Sequence, residues 1–401
     1  MNTSAKIAAT DIVIVGGGYV GLSLALALSS LPIHITIIEA KAKTDDDRRS
    51  LALNYGSCRF LEQLGLWQSL STQAQAIKKL HISERGYFAK LRFDAEEEQV
   101  PALAYVVAGQ RLLDGLYQQV SNCERITLLQ PAMVQDLDHA QQCLTLDYQG
   151  DTHSLNYQLL IAADGAGSVI RQKLGVGVKS LNHHHSALLY RVEADSPKSE
   201  TAYQRFTSDG TLAMLPLDNN YYKLVISGKN ESIARWKVLD NTAFNAKLQK
   251  TFGGFLGTLH CRGEAISYPI QTLQATQQVV EHAVIIGNAA HTFSPIAAQG
   301  LNLSFQDVAV LAQIIARAVQ QKEDFSALPV LQRYAKKRRA AQRSTQYFMR
   351  LLTKSLQTNN IFSILSRQLV LSAADSCLTL HHIMAAKFMG IDTSRFVTKH
   401  G

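Results

Sequence analysis

Cysteine is scarce in this chain, five in 401 residues, and no two form a CxxC pair. Cys58, Cys123, Cys143, Cys261 and Cys377 are odd in number and scattered. That pattern argues against a disulfide framework and a cysteine zinc site, and predicts a reducing compartment. No run approaches the roughly 18 uncharged apolar residues of a spanning helix. Met1 to Ala9 has no apolar core, so neither membrane insertion nor a secretory leader is expected. Internal repeats and low-complexity tracts are absent, and an apolar fraction of 46% with a charged fraction of 18% excludes a disordered or fibrous protein. The chain does have length enough for two domains, and its net charge of +8 is local. Between Leu331 and Ser355 stand Arg333, Lys336, Lys337, Arg338, Arg339, Arg343, Arg350 and Lys354, with no acid.

The opening reads as a βαβ unit. Asp11 to Val15 is short and β-branched, Gly16 to Gly18 follows, Val20 to Ser30 is rich in Leu and Ala, and His34 to Ile38 is β-branched again. Two further strand-like runs, Leu159 to Ala162 and Val284 to Ile286, also end in glycine-containing turns, as parallel strands do where they deliver loops to a ligand. Between them, Ala187 to Ala194, Ala202 to Phe206, Thr211 to Leu217 and Tyr221 to Ser227 alternate in polarity, broken at Asp209-Gly210 and Asp218-Asn219-Asn220. They predict a mostly antiparallel sheet flooring a substrate pocket. Helices are expected around Phe305 to Gln321 and Val330 to Thr353.

Gly16-Gly17-Gly18-Tyr19-Val20-Gly21 satisfies GxGxxG between a strand and a helix, and Glu39 closes the next strand. Gly16 permits the tight turn, Gly18 lets the backbone approach a pyrophosphate, and Gly21 lets helix and strand pack closely; the helix start offers free N–H groups and Glu39 can accept from a ribose. The motif predicts dinucleotide binding and does not separate FAD from NAD.

Two later segments do separate them. Ala163-Asp164-Gly165-Ala166-Gly167-Ser168-Val169-Ile170-Arg171 and the run from Gly287-Asn288-Ala289-Ala290-His291 to Pro295-Ile296-Ala297-Ala298-Gln299-Gly300-Leu301-Asn302 resemble the DG and GD motifs of the aromatic-ring FAD-dependent monooxygenases. With the GxGxxG loop, all three fingerprints of that family occur in order over nearly the whole chain. The resemblance narrows to the ubiquinone-biosynthesis hydroxylase branch on Gly287 to Ala290, Arg205-Phe206-Thr207, Leu212 to Pro216, Ser267-Tyr268-Pro269 and Arg333-Tyr334. It implies an α/β fold: a Rossmann-like FAD-binding domain from 1–75, 100–180 and 275–330, an inserted mostly antiparallel β-sheet substrate domain from 76–99 and 181–274, and a helical C-terminal region from 331–401.

The resemblance also carries residue roles. Gly16, Gly18, Gly21 and Glu39 hold the ADP half of FAD, while Arg49 and the Gln110-Arg111 pair face phosphate or ribitol. Asp164 supports FAD and a transient nicotinamide cofactor. Gly287 and Asn288 sit beside the ribitol, with Asn in place of the usual Asp, and bring hydrogen bonds without charge. Pro295, Gln299, Gly300, Leu301 and Asn302 lie against the flavin ring at a helix start that favours negative charge on it; Ala298 stands where the family usually has Gly.

The implied reaction is hydroxylation of a prenylated phenol, of a prenylated methoxyphenol type, with O2 through a flavin C4a-hydroperoxide. NADPH or a reductase protein supplies electrons. Three alternatives stay open: another ring hydroxylase of the pathway, an FAD-dependent prenyl reductase that does not oxygenate, and a non-catalytic FAD-binding assembly subunit. A halogenase is disfavoured, because only Trp67 and Trp236 are present and its WxWxIP signature is impossible. No residue is assigned as catalytic base; His291 reads equally as a histidine bonded to local backbone.

His183-His184-His185 reads as a solvated loop, and no metal is expected. The basic run lacks the interleaved aromatics of a nucleic-acid platform, so an anionic membrane surface or an acidic partner fits it better. Apolar residues from Ile361 to Met384 recur at helical intervals, as ordinary core, as a cap on the substrate cavity or as a contact with a membrane surface. The resulting expectation is a cytoplasmic protein, peripheral on the inner face of the membrane, with membership of a ubiquinone-biosynthesis complex implied by the resemblance alone.

Overall fold

A computed structural model describes residues 10–43, 47–85, 90–207, 209–218, 220–292, 299–357 and 377–391. Six strands form one sheet in the order Val279–Val280, Ala283–Ile285, Leu159–Ala162, Ile12–Val15, Ile35–Ile38, Ile126–Leu129. All neighbours are parallel except the first pair. A parallel sheet must be covered on both faces, so its strands are apolar throughout. Alternate residues divide accordingly: Ile12 and Ile14 join a core with the helices Tyr19–Leu28 and Gln299–Gln320, while Val13 and Val15 join a second core with Leu144, Leu146 and Leu155 of a three-stranded sheet.

Ile12–Val15, Leu159–Ala162 and Ala283–Ile285 are adjacent in that sheet. Their carboxyl ends therefore bring three loops, remote in sequence, to one edge, the position at which such sheets bind ligands.

An eight-stranded sheet stands against this edge. Its centre is the antiparallel pairing of Val178–Ala194 with Leu259–Ala275 and with Tyr221–Lys229, and its one parallel pairing joins Thr201–Thr207 to Lys79–Glu84. One face is apolar and packs Leu188, Met214, Tyr222 and Leu224 on the helices Asn230–Lys237 and Asn241–Phe252 through Trp236 and Phe244. Those two helices are absent from the sequence reading. A fourth sheet, Ser50–Asn54, Ala104–Ala108 and Gln75–Ile77, joins the two larger ones.

The later helices span Gln299–Gln320, Leu328–Gln357 and Leu378–Met389. The first two start earlier than expected, and in the second Leu331, Tyr334, Arg338 and Gln342 line a buried stripe. Three expectations need correction or restriction. Arg338 is no surface cation, being 3% exposed and paired with Asp307. His183 to His185 lie within the strand Val178–Ala194 rather than in a loop: a register shift falls between Leu181 and His185, and His185 pairs with Ile270 on one side and Lys229 on the other. The apolar positions from Ile361 to Leu371 lie outside the described residues. Among the described residues no helix is long and apolar enough to cross a membrane.

Candidate active site

The first strand ends at Gly16, whose φ of +114° suits glycine, and a Cβ there would run into the backbone of Ala163 and Asp164. The glycine loop is thereby pressed onto the loop carrying Asp164. Gly18 precedes the helix with no side-chain cap, leaving its first N–H groups available, and a Cβ on Gly18 would meet nothing within 4 Å. Gly21 faces inward: a Cβ would strike the Gly16 carbonyl oxygen. Glu39 is held at the loop, its carboxylate accepting from Gly17 N at 2.6 Å and Lys41 N at 2.8 Å.

Asp164 accepts from Ile170 N at 3.1 Å through Oδ2, while its Oδ1 is buried without a hydrogen-bond partner among the described residues. Arg171 joins this loop to the next: its guanidinium donates to Ala289 O at 2.7 Å and Ala166 O at 3.0 Å. Sequence reasoning quoted Arg171 without giving it this role. The only signal was its place in the Asp164 motif.

Gly287, at φ +58°, opens a 3-10 turn to Ala289, and a Cβ on it would sit 3.2 Å from Val20 of the first helix. Asn288 is exposed on this turn. Beneath it lies a buried charge network that sequence reasoning missed. Asp307 accepts from Arg338 Nε at 2.5 Å, pairs with His291 Nε2 at 2.6 Å, and accepts from Gly287 N at 3.3 Å. Burial pushes the Asp307 carboxyl up, but the charges and hydrogen bonds of His291 and Arg338 outweigh it and hold the pKa below the usual value. His291 is thus bonded through Nε2 to the carboxylate of Asp307, sixteen residues further on.

Gly300 and Leu301 lie in the first turn of Gln299–Gln320, and Gly300 borders open space. Asn302 is 2% exposed and its amide serves the protein: Oδ1 accepts from Asn54 N at 3.0 Å and Ser57 Oγ at 2.7 Å, and Nδ2 donates to Ala52 O at 3.0 Å. It fixes the helix start to the strand Ser50–Asn54. Pro295 and Ala298 lie outside the described residues.

At the other end of that strand, Arg49 forms a bidentate pair with Asp47 at 2.6 and 2.7 Å and covers the Tyr19 ring. The Tyr19 hydroxyl also donates to Asp47, whose carboxyl is held down at about 2 chiefly by the Arg49 hydrogen bonds. Gln110 Oε1 accepts from Asp47 N at 2.8 Å. The structure thus brings Arg49 and Gln110 together beside the first helix, through Asp47, which the sequence did not flag. Arg111 is exposed in the first turn of Gly109–Ser121. Across from Arg49, Lys223 of the large sheet donates to Ser50 O at 2.8 Å; burial, and then the Arg49 charge, lower its pKa to about 8.

These residues fit FAD. Gly18, Gly165, Gly167 and Gly300 all border open space, the first helix presents uncapped N–H groups, and Asp164 keeps an unfilled acceptor. A doubly covered parallel sheet offering three such loops to a second sheet is the architecture of an FAD-dependent aromatic monooxygenase.

Comparison with known proteins agrees. Residues 9–348 match the FAD binding domain family, and the chain belongs to it, among the FAD-dependent ubiquinone-biosynthesis hydroxylases. It is 31% identical over 338 residues to 3-demethoxyubiquinol 3-hydroxylase of Escherichia coli, covering 82% of this chain and 86% of that one. To ubiquinone hydroxylase UbiL of Rhodospirillum rubrum it is 29% identical over 394 residues, 95% of this chain and 89% of the other. The crystal structure of p-nitrophenol 4-monooxygenase PnpA from Pseudomonas putida shares the fold, with a TM-score of 0.74, 16% identity, and coverage of 95% and 98%.

Proposed function

We propose that this chain hydroxylates a prenylated phenol of the 2-octaprenyl-6-methoxyphenol type with O2, on the route to ubiquinone. The observation that carries the reading beyond the family is an apolar row on the open face of the large sheet. Leu189, Val225 and Ala213 are register partners across three strands, all only partly buried, and they share a face with Leu215. Lys223, on the same face, reaches Ser50, so this face looks toward the strand Ser50–Asn54, which Arg49 precedes. A phenol ring with an apolar tail suits such a floor, which excludes water and orients the ring.

FAD, once bound and reduced, supplies the electrons that activate O2 for oxygen transfer to the ring. The chain's own residues do the rest. The uncapped helix start and Arg111 would bind phosphate, Glu39 would bind ribose, Asp164 would fill its open acceptor on the cofactor, and Asn302 holds the helix start at Gln299 in place to receive the flavin. Lys223 brings a cation to the end of the apolar row. Electrons come from NADPH or a reductase protein, and NADPH oxidation by the purified protein separates the two. The division into FAD-binding, inserted and C-terminal regions given by the sequence belongs to the same proposal.

The test is a quinone profile of cells lacking this protein, grown in air. Accumulation of the prenylated methoxyphenol, rescued by the wild-type gene and not by an FAD-less variant, is expected. Normal ubiquinone overturns the pathway reading.

A peripheral site on the inner face of the membrane is part of the proposal. Lys336, Arg339 and Arg343 are exposed on one side of their helix, with Lys337 beside them, opposite the buried stripe that holds Arg338. Reversing Lys336, Lys337 and Arg339 to Glu, with Arg338 intact, is expected to abolish salt-sensitive binding to anionic vesicles at unchanged flavin content. Unaltered vesicle binding returns this face to plain solvation.

A further inference from the structure

We infer that Glu98, His381 and His382 form a site for a divalent cation of the zinc class, which clamps the helix Leu378–Met389 onto the edge of the large sheet. Glu98 is nearly three hundred residues from the adjacent pair His381 and His382 in sequence. Glu98 sits in the turn after the strand Lys90–Asp94, and its side chain is fully buried. Its Oε1 stands 2.9 Å from His382 Nδ1 and 3.6 Å from His381 Nδ1, and the three ligand atoms all lie within 4.8 Å of one another. Neighbouring ligands on a tetrahedral zinc, each at about 2.0–2.2 Å from it, stand about 3.4 Å apart. The Glu98–His381 separation of 3.6 Å is already that size, and the 2.9 Å between Glu98 and His382 would open by about 0.5 Å to admit the ion.

The hydrogen bonding points the same way. His381 Nε2 lies 2.6 Å from the Arg92 carbonyl oxygen, which can only accept, so Nε2 carries the proton. In the neutral ring, Nδ1 then presents a lone pair toward a carboxylate oxygen, and two lone pairs do not attract. An imidazolium would resolve the conflict with a second proton, yet charge-assisted bonds close to about 2.7–2.9 Å, and this separation is 3.6 Å. A cation between the two atoms satisfies both. It also serves Glu98 Oε2, which is buried with no hydrogen-bond partner among the described residues. A carbonyl accepting from the far nitrogen of a metal-bound histidine is the usual orienting partner. Two imidazoles and one carboxylate suit zinc and leave a fourth position for water, and the His382 side chain, 26% exposed, gives that position access to solvent.

The consequence is mechanical. This helix packs Ala385 and Met389 on Phe93 and Leu91 of the sheet edge. Just beyond its other end, Gly390 lies against Asn54 and Gly56, next to the strand that Asn302 holds. A cation in the first turn would anchor one end of an element whose other end borders the candidate cofactor site.

The test uses the full-length FAD-loaded protein, stripped with a chelator and titrated with Zn2+ alone. One equivalent should bind at submicromolar concentration, and hydrogen exchange across 378–389 should slow on binding. Glu98→Gln keeps the side-chain volume, and His382→Gln is a half-exposed change, so both should retain fold and flavin. Each should weaken Zn2+ binding by more than about 100-fold, since losing even an outer partner costs about 10–100-fold. No binding, or binding unchanged in both variants, overturns the site and leaves a hydrogen-bonded histidine–carboxylate cluster. Flavin content is independent of this outcome.

Discussion

Gly18→Val is expected to yield a folded, colourless protein. The position is extended, with φ −84° and ψ −172°, a conformation any residue adopts, and a Cβ there meets nothing within 4 Å. Valine therefore costs the apoprotein little. Its methyl groups would instead occupy the space in front of the first helix, where a pyrophosphate must come within hydrogen-bond distance of backbone N–H groups. Flavin affinity should fall more than about 100-fold, a loss of about 2.7 kcal/mol. Gly21→Val makes the contrast: its Cβ strikes the Gly16 carbonyl oxygen, so the strand-to-helix turn itself must move and the apoprotein should be destabilised. Arg111→Ala, at an exposed position, should lower flavin affinity by roughly 1.5–3 kcal/mol, the range for a charged hydrogen bond, without shifting apoprotein unfolding. Flavin absorbance after gel filtration and thermal unfolding of the apoproteins read both quantities. Full flavin content in Gly18→Val would remove the phosphate from this loop.

What was legible in the sequence was local. Each of the three ligand loops follows a short apolar run and carries glycine, so strand, turn and chemistry were written within about ten residues. Their convergence followed from the rule that parallel strands deliver loops to one edge. The helices Asn230–Lys237 and Asn241–Phe252 escaped because lysine and asparagine blur their periodicity, although the Asp240 cap on Ala243 N and the spacing of Phe244, Leu248 and Phe252 were available signals. The buried charges escaped for a different reason. Arg338 stands among surface cations in a basic run, and only its position four residues after Tyr334 marks it as inward-facing. Asp47 and Glu98 act across folds of the chain that no spacing rule spans, and His381 and His382 gain a partner only when their helix docks.

Arg338→Met should cost about 3–5 kcal/mol of stability, the range for breaking one side of a buried ion pair. Asp307 is 0% exposed, and without Arg338 it would keep His291, Gln342 and Gly287 N as partners while losing its strongest compensating charge. The Asp307→Asn, Arg338→Met double variant should lose less than the sum of the single changes, because it leaves no buried carboxylate uncompensated. The pH dependence has a definite sign. The folded pKa of Asp307 lies below its ordinary value of 3.8, so its contribution is present above about pH 4 and is lost as pH falls through the folded value. Asp307→Asn should therefore flatten the acid limb of the stability profile while leaving the neutral plateau lower. Flavin retention should fall in the single variants as well, since Asp307 holds Gly287 N and His291 beneath the turn that carries Asn288. Denaturant unfolding between pH 3 and 7, with flavin release followed in parallel, separates the two effects. Additive losses in the double variant, or an acid limb unchanged by Asp307→Asn, would show that the network is not what joins the C-terminal helix to the cofactor loop.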